Sequence, residues 1–258
     1  MRPLRQVPAR LPARRPRAPA LMLRERFHFR ETHAALLAEE ESHLRAAKAA
    51  ILRARTGVER AAARDPFFLA ALEPYDPGPA GPVVDRMVRA AAEAGVGPMA
   101  AVAGAIAAAG VEAMVEAGAR FGVVENGGDI AFVTDRPLRV GVHAGCSPYS
   151  DRYAFVLPPG AGVRGCCTSS ATVGPSVSFG VADAVTVFAD DPAVADAWAT
   201  RLCNDLRPDD RSAFALLDPA RVEGICAVLG DGVARWGTVP PVVRARVDPA
   251  LITAADSV

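Results

Sequence analysis

The sequence is poor in cysteine, and its cysteines follow neither a metal-ligand nor a disulfide pattern. Among 258 residues there are five, namely Cys146, Cys166, Cys167, Cys203 and Cys226. An odd number without a Cys-x-x-Cys pair argues against a disulfide scaffold and against a structural zinc site. This pattern favours a reducing compartment, and we predict a cytoplasmic protein.

The chain also lacks net charge, because 29 Lys and Arg residues balance 29 Asp and Glu residues. A neutral molecule has no overall attraction to nucleic acid, so we expect no nucleic-acid partner. The charge is uneven, however, since the first 20 residues are rich in Arg and Pro and contain no acidic residue. Such a segment could bind a polyanion, or the protein could start at Met22. Because Pro and Arg at this density cannot form a core, we predict a disordered basic extension over residues 1–21.

A long hydrophobic run suited to a membrane is missing as well. Residues 94–111 have no charge, but they are mostly Ala and Gly, contain Pro98, and are followed by Glu112 and Glu116. Alanine contributes little to partitioning into lipid, so a buried core helix is the better interpretation. The short apolar run near the N-terminus is interrupted by Pro19 and does not resemble an export signal. We therefore expect no membrane partner.

Aromatic residues make up only 6% of the chain, whereas alanine supplies much of the 51% hydrophobic content. Periodicity predicts helices at 33–63, 84–94, 99–117, 192–206 and 218–229. It predicts strands at 25–32, 121–125, 130–134, 139–143, 153–157 and 184–189. This order predicts an α+β fold in which Ala-rich helices pack on an antiparallel or mixed sheet. We expect a single domain over residues 22–258, with the Pro/Gly-rich loop at 74–82 as a candidate seam.

The first segment that could carry chemistry is the predicted hairpin around residues 125–130 (ENGGDI). Two glycines allow a backbone or a ligand to approach closely, and the flanking carboxylates can hold a metal-bound or amine-bearing group. An ordinary turn is the alternative, because Asn-Gly is a common hairpin signal. The candidate binding residues here are Glu125, Asn126, Gly127, Gly128 and Asp129.

The second segment, residues 165–176 (GCCTSSATVGPS), places two thiols and five hydroxyls between glycines. Hydroxyls and backbone N–H groups in such a loop can bind phosphate oxygens. The candidate binding residues are Thr168, Ser169, Ser170, Thr172 and Gly174. Cys167 is a candidate catalytic nucleophile if a nearby positive charge or a helix N-terminus lowers its pKa. The alternative is a polar loop entering a sheet, with an inert buried thiol.

The third segment lies on the helix predicted at 192–206. Asp196 and Thr200 are one helical turn apart and therefore lie on the same face. A carboxylate and a hydroxyl in this arrangement are suitable oxygen ligands for magnesium or calcium. The same spacing also occurs by chance in many helices.

Several motifs in this order resemble an uncharacterised branch of the ApbE-like superfamily, whose known activity is transfer of FMN from FAD to protein. The motifs are residues 96–107 (VGPMAAVAGAIA), 125–130 (ENGGDI), 167–170 (CTSS), 172–174 (TVG), 178–180 (SFG) and 182–185 (ADAV). The resemblance covers approximately residues 27–206. It implies an ApbE-like α+β fold and, as cofactors, FAD or FMN and magnesium.

The resemblance also implies roles for individual residues. Asp196 and Thr200 would be the metal ligands, and the hairpin from Asn126 to Asp129 would line a nucleotide pocket. One departure is that ApbE enzymes have a Lys-Gly step on the helix before the hairpin, whereas residues 97–100 here are GPMA. The ligand expected is a small molecule, either a flavin nucleotide or a pterin-like compound.

Three functions are left open at this point. The first is a flavin-binding protein with magnesium-dependent FMN transferase-like activity. The second is a Cys167-dependent protein of sulfur trafficking or one-carbon (pterin-linked) metabolism. The third is a non-catalytic ligand-binding protein. The oligomeric state is also open, with a homo-oligomer as one alternative.

Overall fold

The computed structural model describes residues 22–30, 32–171 and 180–248. Thr172 and Gly174, and the extension predicted at 1–21, lie outside the described residues. The helices are α1 (Glu41–Arg64), α2 (Phe67–Ala70), α3 (Pro82–Ala94), α4 (Val102–Glu116) and α5 (Pro192–Asp205). The strands are β1 (Leu23–Phe29), β2 (Thr32–Ala38), β3 (Gly122–Asn126), β4 (Asp129–Thr134), β5 (Leu138–Gly141), β6 (Tyr153–Leu157), β7 (Gly160–Ser169), β8 (Ala184–Ala189), β9 (Gly224–Leu229), β10 (Gly232–Gly237) and β11 (Val242–Arg244).

Eight strands form one large sheet in the order β1-β2-β3-β4-β7-β8-β9-β10, and every neighbouring pair is antiparallel. Strands β5, β6 and β11 form a separate three-stranded antiparallel sheet. Because all pairs are antiparallel and the helices cover the sheet rather than alternate with its strands, the fold is α+β, as predicted.

The alternation of side chains along the strands separates the two faces of the large sheet. On β3, Val124 packs in the cluster formed with α1 and α4, whereas its neighbour Val123 packs in the cluster formed with the small sheet. On β4, Ala131 and Phe132 divide in the same way. The molecule therefore has three layers: helices, the large sheet, and the small sheet.

The helical layer is ordered along the large sheet. Helix α1 contacts β1 and β2, α4 contacts β3, β4 and β7, and α5 contacts β4, β7 and β8. Helix α3 begins at Pro82 and ends before Gly95, whose φ of 71° is the left-handed conformation that glycine adopts readily at a helix end. This arrangement places the adjoining helices α4 and α5 over the centre of the sheet.

The predicted core helix corresponds to a 3-10 turn, Pro98–Ala101, followed by α4. This run of 19 residues is long and apolar enough to cross a membrane by length and composition. Most of α4 is instead buried against α1, α5 and the large sheet. Its many Ala and Gly residues allow this close packing, so its apolar character is explained by the protein core.

Three secondary-structure predictions were wrong. Residues 33–38 form strand β2 rather than the start of a helix, and Glu41 is the first residue of α1. The run HAALLA is too short for periodicity to distinguish a strand from a helix, and pairing with β1 and β3 decides it. Residues 224–229 form β9 rather than a helix, because β8 and β10 pair with them on both sides. Cys166 to Ser169 lie in β7 rather than in a loop.

Candidate functional site

The glycine pair forms a two-residue turn between β3 and β4. Asn126 pairs with Asp129 across the hairpin, and Gly127 and Gly128 have φ angles of 67° and 103°. Both values are positive, as expected for a type I′ turn, which accounts for the two glycines. The backbone N–H of Gly128 donates a hydrogen bond of 2.9 Å to Glu125 Oε1, which fixes the turn to its own strand.

Strand alternation directs three predicted site residues towards the helical layer. Asp129 is two residues before Ala131, which packs beneath α4, and both therefore lie on the helix-facing side of β4. Asn126 and Cys167 are the two cross-strand neighbours of Asp129 and share this side. The side-chain amide of Asn126 donates a hydrogen bond of 3.3 Å to the carbonyl oxygen of Ala103, near the start of α4.

Helix α5 completes this group through Asp196. The Asp196 side chain is 6% exposed, and its Oδ2 accepts a hydrogen bond of 2.8 Å from the backbone N–H of Gly104. A Cβ atom on Gly104 would lie 2.3 Å from the carbonyl oxygen of Pro192 and 2.8 Å from Asp196 Cβ. Only glycine therefore allows α4 and α5 to approach this closely.

Asp129 and Asp196 are two buried carboxylates that influence each other. Burial raises the pKa of Asp129 well above its ordinary value, and the neighbouring charges of Asp196 and Glu125 raise it further. Burial also raises the pKa of Asp196 to about 7, although backbone N–H donors at Gly104 and Ala103 oppose this shift. Asp129 Oδ1 is buried and has no hydrogen-bond partner among the described residues. Such an atom is costly to bury, which indicates that a cation or a donor belongs beside it.

The surroundings of Cys167 favour the thiol rather than the thiolate. Its side chain is fully buried, and Sγ donates a hydrogen bond of 3.4 Å to the carbonyl oxygen of Pro192. Burial, together with the negative charges of Asp129 and Asp196, raises the pKa of Cys167 well above its ordinary value. These are the opposite of the conditions that activate a nucleophilic cysteine. A catalytic role for Cys167 remains a prediction from the sequence.

Of the other predicted site residues on β7, Thr168 lies on the opposite face of the sheet, whereas Ser169, two residues after Cys167, lies on the helix-facing side. Thr168 follows Cys167 on β7, so its side chain lies on the opposite face of the sheet, where its hydroxyl and that of Thr186 are 2.9 Å apart. Only the Thr168 backbone reaches Asp129, through a hydrogen bond that lowers the pKa of that carboxyl group. Ser169 and Ser170 follow at the end of β7 and are half-buried. Thr200 is also half-buried, one turn beyond Asp196 on α5.

The donor set fits a divalent cation that also takes ligands from a bound molecule. Within residues 22–30, 32–171 and 180–248, no group of three or more His, Cys, Asp and Glu side chains is arranged to hold a metal ion. Asp196 and the unsatisfied Oδ1 of Asp129 supply two carboxylates. Magnesium is commonly bound by one or two carboxylates together with substrate phosphates and water. The residues therefore suit a magnesium–nucleotide complex better than a cation bound by protein alone.

Sequence reasoning did not identify the main-chain groups of the site. The Gly104 N–H, the Ala103 carbonyl and the Pro192 carbonyl all contact predicted site residues, but main-chain groups have no signature of their own. The available signal was the small-residue content of α4, which predicts close approach of a neighbouring helix. The sequence could not show that this neighbour is α5.

The sequence matches a protein-family model described as AbpE bacteria over residues 19–221. The UPF0280 protein of Methanosphaerula palustris is 60% identical over 235 residues, which are 91% of this chain and 99% of that protein. The UPF0280 protein of Methanoregula boonei is 58% identical over 236 residues, with the same two coverages. The chain belongs to the same family as these UPF0280 proteins. It is thus a member of the ApbE-like branch that its motifs resemble.

Solved structures with the same fold are more distant in sequence. The ApbE protein of Thermotoga maritima is 14% identical, with a TM-score of 0.55, covering 83% of this chain and 97% of that one. The flavin transferase ApbE of Vibrio cholerae is 13% identical, with a TM-score of 0.50 and coverages of 85% and 98%. At these identities the similarity shows an ApbE-like fold and carries no information about individual residues.

Proposed function

We propose that this protein binds a flavin nucleotide, FAD or FMN, together with magnesium at the group of Asn126, Asp129 and Asp196. We also propose that the protein has an FMN transferase-like activity. The likeness in fold to a protein named as a flavin transferase supports the choice of ligand. The side chains of this chain support the choice of cation.

The observation that carries the proposal is the pairing of two buried carboxylates, one with an unsatisfied oxygen. Asp129 and Asp196 repel each other when both are ionised, which is part of the reason that the pKa of Asp129 is raised. A bound divalent cation would neutralise this repulsion and satisfy Asp129 Oδ1. Without a cation, the same carboxylates would repel a nucleotide phosphate. The site is therefore suited to a nucleotide only when a cation is also bound.

Individual residues have distinct parts in this proposal. Asp196 and Thr200 would hold the magnesium ion beside Asp129 Oδ1, and the Gly104 N–H orients the Asp196 carboxylate. Asn126 is tied to the start of α4 through the Ala103 carbonyl and so fixes the hairpin relative to the helices. Apart from Gly127 and its two chain neighbours, no atom of residues 22–30, 32–171 and 180–248 lies within 4 Å of a Cβ atom built on Gly127. Bound magnesium would supply a positive charge that polarises the phosphate oxygens.

Binding is tested by thermal stability of the purified protein with FAD in the presence and absence of magnesium. We expect FAD and magnesium together to raise the melting temperature, and each alone to have a much smaller effect, because stabilisation follows the affinity of the native state. Asp196→Asn should remove the magnesium-dependent part. Asp205→Asn, on the same helix but in a half-buried ion pair with Arg201 away from Asp129, is the matched control and should bind the ligand as the wild type does.

The proposal fails if saturating FAD with magnesium leaves the melting temperature unchanged. It also fails if Asp196→Asn and Asp205→Asn respond to the ligand equally. Transferase activity is tested separately, by release of AMP from FAD in the presence of a protein carrying an acceptor threonine or serine. Binding without AMP release would leave the non-catalytic ligand-binding function as the correct one.

The proposal also includes the cellular compartment of the protein. All five cysteines are free thiols, and four of them are buried. Free thiols in this number are typical of a reducing environment, so we propose a cytoplasmic location. Fractionation of cells that express the tagged protein would test it, and recovery in an exported fraction would contradict it.

A further inference from the structure

A second, strongly basic region lies on the far side of the large sheet from Asp129 and Asp196. One cleft of about 390 Å³ is lined by Pro148, Tyr149, Arg152, Tyr153 and Arg244. An adjoining cleft of about 350 Å³ is lined by Asp151, Arg152, Arg244, Ala245 and Arg246. Because Arg152 and Arg244 line both, the two clefts form one continuous groove, which we call the arginine groove.

Several arginines of the protein have acidic partners, whereas the arginines of this groove have none among the described residues. Arg86 bonds to both Glu112 and Asp191, Arg136 bonds to Glu39, and Arg221 bonds to Glu93. By contrast, Arg152, Arg244 and Arg246 have no side-chain hydrogen bond or ion pair with any residue in the described part of the chain. All three are exposed. Their charges are therefore available to a ligand.

Local backbone structure holds these arginines together. Arg244, the last residue of β11, lies opposite Tyr153 on β6. The pairing continues beyond the strand, since the N–H of Ala245 donates to the Arg152 carbonyl at 3.0 Å and the N–H of Val247 donates to the Asp151 carbonyl at 3.1 Å. The guanidinium groups thus extend from two hydrogen-bonded segments, which keeps like charges close together.

The single acidic residue of the groove is directed to another partner. Asp151 has a φ of 60°, which is uncommon for a residue with a side chain, and its Oδ1 lies 3.0 Å from His143 Nδ1. Ser150 Oγ lies 3.4 Å from Asp151 Oδ2. These contacts hold the carboxylate beside the imidazole and the hydroxyl instead of beside the arginines. Three guanidinium groups and one carboxylate leave an excess of two positive charges.

Two tyrosine rings, tilted by 50° relative to each other, add an aromatic wall to the groove. The rings of Tyr149 and Tyr153 have centroids 6.0 Å apart, and the Tyr149 hydroxyl donates to the carbonyl oxygen of Asp231 at 3.1 Å. That hydrogen bond fixes the first ring to the turn between β9 and β10. An aromatic wall beside guanidinium groups suits a ligand that has both a ring and a phosphate, since arginine bonds phosphate oxygens in pairs.

We propose that the arginine groove binds a small phosphorylated molecule with at least two negative charges, without a metal ion. Clefts of this size are in the range that accommodates small ligands. The excess of two positive charges matches a diphosphate or a phosphate monoester. This inference is independent of the proposed flavin site, where carboxylates would require a cation before a phosphate could bind. The two sites lie on opposite faces of the large sheet.

The test is binding of pyrophosphate and of ADP by calorimetry, with EDTA present to remove divalent cations. We expect saturable binding of both anions. Binding should be weaker in about 200 mM than in about 50 mM sodium chloride, because salt screens the interaction between exposed charges and the Debye length is about 10 Å in this range. Arg152→Gln and Arg244→Gln should each weaken binding about tenfold, as expected for loss of a charged hydrogen bond. Tighter binding of ADP than of pyrophosphate would show that the tyrosine wall also contributes.

Two control variants keep the test specific. Arg139→Gln removes an exposed arginine of β5, in the same small sheet but outside the groove, and should leave binding unchanged. Asp196→Asn should also leave binding unchanged, which separates this inference from the proposed flavin site. Circular dichroism of each variant checks that it is folded.

Three results would overturn the inference. The first is absence of pyrophosphate and ADP binding at millimolar concentrations. The second is equal binding by wild type, Arg152→Gln and Arg244→Gln. The third is binding of a single-stranded oligonucleotide that depends on these arginines when neither small anion binds, because the groove would then serve a macromolecule.

Discussion

Asp196 on α5 accepts a hydrogen bond from the backbone N–H of Gly104 on α4, with 2.8 Å between the two heavy atoms. The carboxylate is held by the main chain of another helix, so its position depends on how closely the two helices approach. That approach depends in turn on the missing side chain of Gly104. The geometry of the candidate site is therefore coupled to the packing of the helical layer.

Substitution of Gly104 should destabilise the protein. In Gly104→Ala, the new methyl group would lie 2.3 Å from the Pro192 carbonyl oxygen, so α4 and α5 must separate. We expect a loss of about 1–3 kcal/mol in the free energy of unfolding, as for other overpacked sites. Chemical denaturation measures it. Gly57→Ala in α1 is the matched control, since in the described part of the chain no atom beyond the neighbouring backbone of α1 lies within 4 Å of the new methyl group.

The control should change stability in the opposite direction. Alanine is favoured over glycine inside a helix by about 0.5–1 kcal/mol, so Gly57→Ala should stabilise the protein. Equal effects of the two substitutions would contradict the close packing of α4 on α5.

The stability of the metal-free protein should fall as pH rises towards neutral. The pKa of Asp196 is about 7 in the folded protein against 3.8 for a free carboxyl group, so the folded state binds the proton more tightly. This contribution to stability is complete below about pH 4, where both states are protonated, and is lost as pH rises through 7. Melting temperatures between pH 4 and pH 8 in EDTA measure it.

Removing one carboxylate of the Asp129–Asp196 pair should reduce the loss of stability as pH rises. Asp129→Asn eliminates the buried charge next to Asp196, and we expect a higher melting temperature than wild type at pH 8, with a smaller difference at pH 4. A gain of about 1 kcal/mol corresponds to about 2–4 °C for a domain of 150–250 residues. Asp205→Asn, which removes a half-buried carboxylate from the end of the same helix, should show the same pH dependence as the wild type. A difference in melting temperature between Asp129→Asn and wild type that does not change between pH 4 and pH 8 would show that the two charges do not repel each other.

Alkylation of the native protein should occur first at Cys146. It is the exposed cysteine, whereas Cys167 and Cys203 are fully buried. Iodoacetamide treatment followed by peptide mass mapping should show rapid modification of Cys146, with Cys167 and Cys203 modified only after unfolding. Faster reaction of Cys167 than of Cys203 below neutral pH would instead support the thiol-dependent function that the sequence leaves open.

The two hairpin glycines should differ in their tolerance of substitution. Gly127 has a φ of 67°, within the left-handed region that asparagine adopts, whereas Gly128 has a φ of 103°. Gly127→Asn should therefore lower the melting temperature less than Gly128→Asn. Thermal unfolding of both variants measures the difference, and the reverse order would contradict the turn geometry described for β3 and β4.

Local sequence determined much of the fold. The Asn-Gly-Gly-Asp run was sufficient to predict the β3–β4 hairpin, because few sequences permit two successive positive φ angles. Pro192 behind two aspartates predicted the start of α5, and the Asp191 side chain does accept a hydrogen bond from the N–H of Ala193. These features depend on residues close together in the chain, so they can be predicted from the sequence alone.

Pairing between distant segments was decided by the tertiary structure. Residues 33–38 and 224–229 became strands because each has a neighbouring strand on both sides, and hydrogen bonds to distant residues outweigh local propensity. Strand alternation also placed Cys167 on the helix-facing side of β7, away from solvent. Burial then raised the pKa of a thiol that the sequence presented as a candidate nucleophile.

The sequence by itself determined the family, the hairpin and the residue types at the candidate site. Only the tertiary structure decided that Asp129 and Asp196, 67 positions apart in the chain, are close enough to influence each other's ionisation. It also decided that the Gly104 N–H orients one of them. The physical reason is that electrostatic interaction and burial depend on distance in space, and the chain sets that distance only when its helices pack on the sheet.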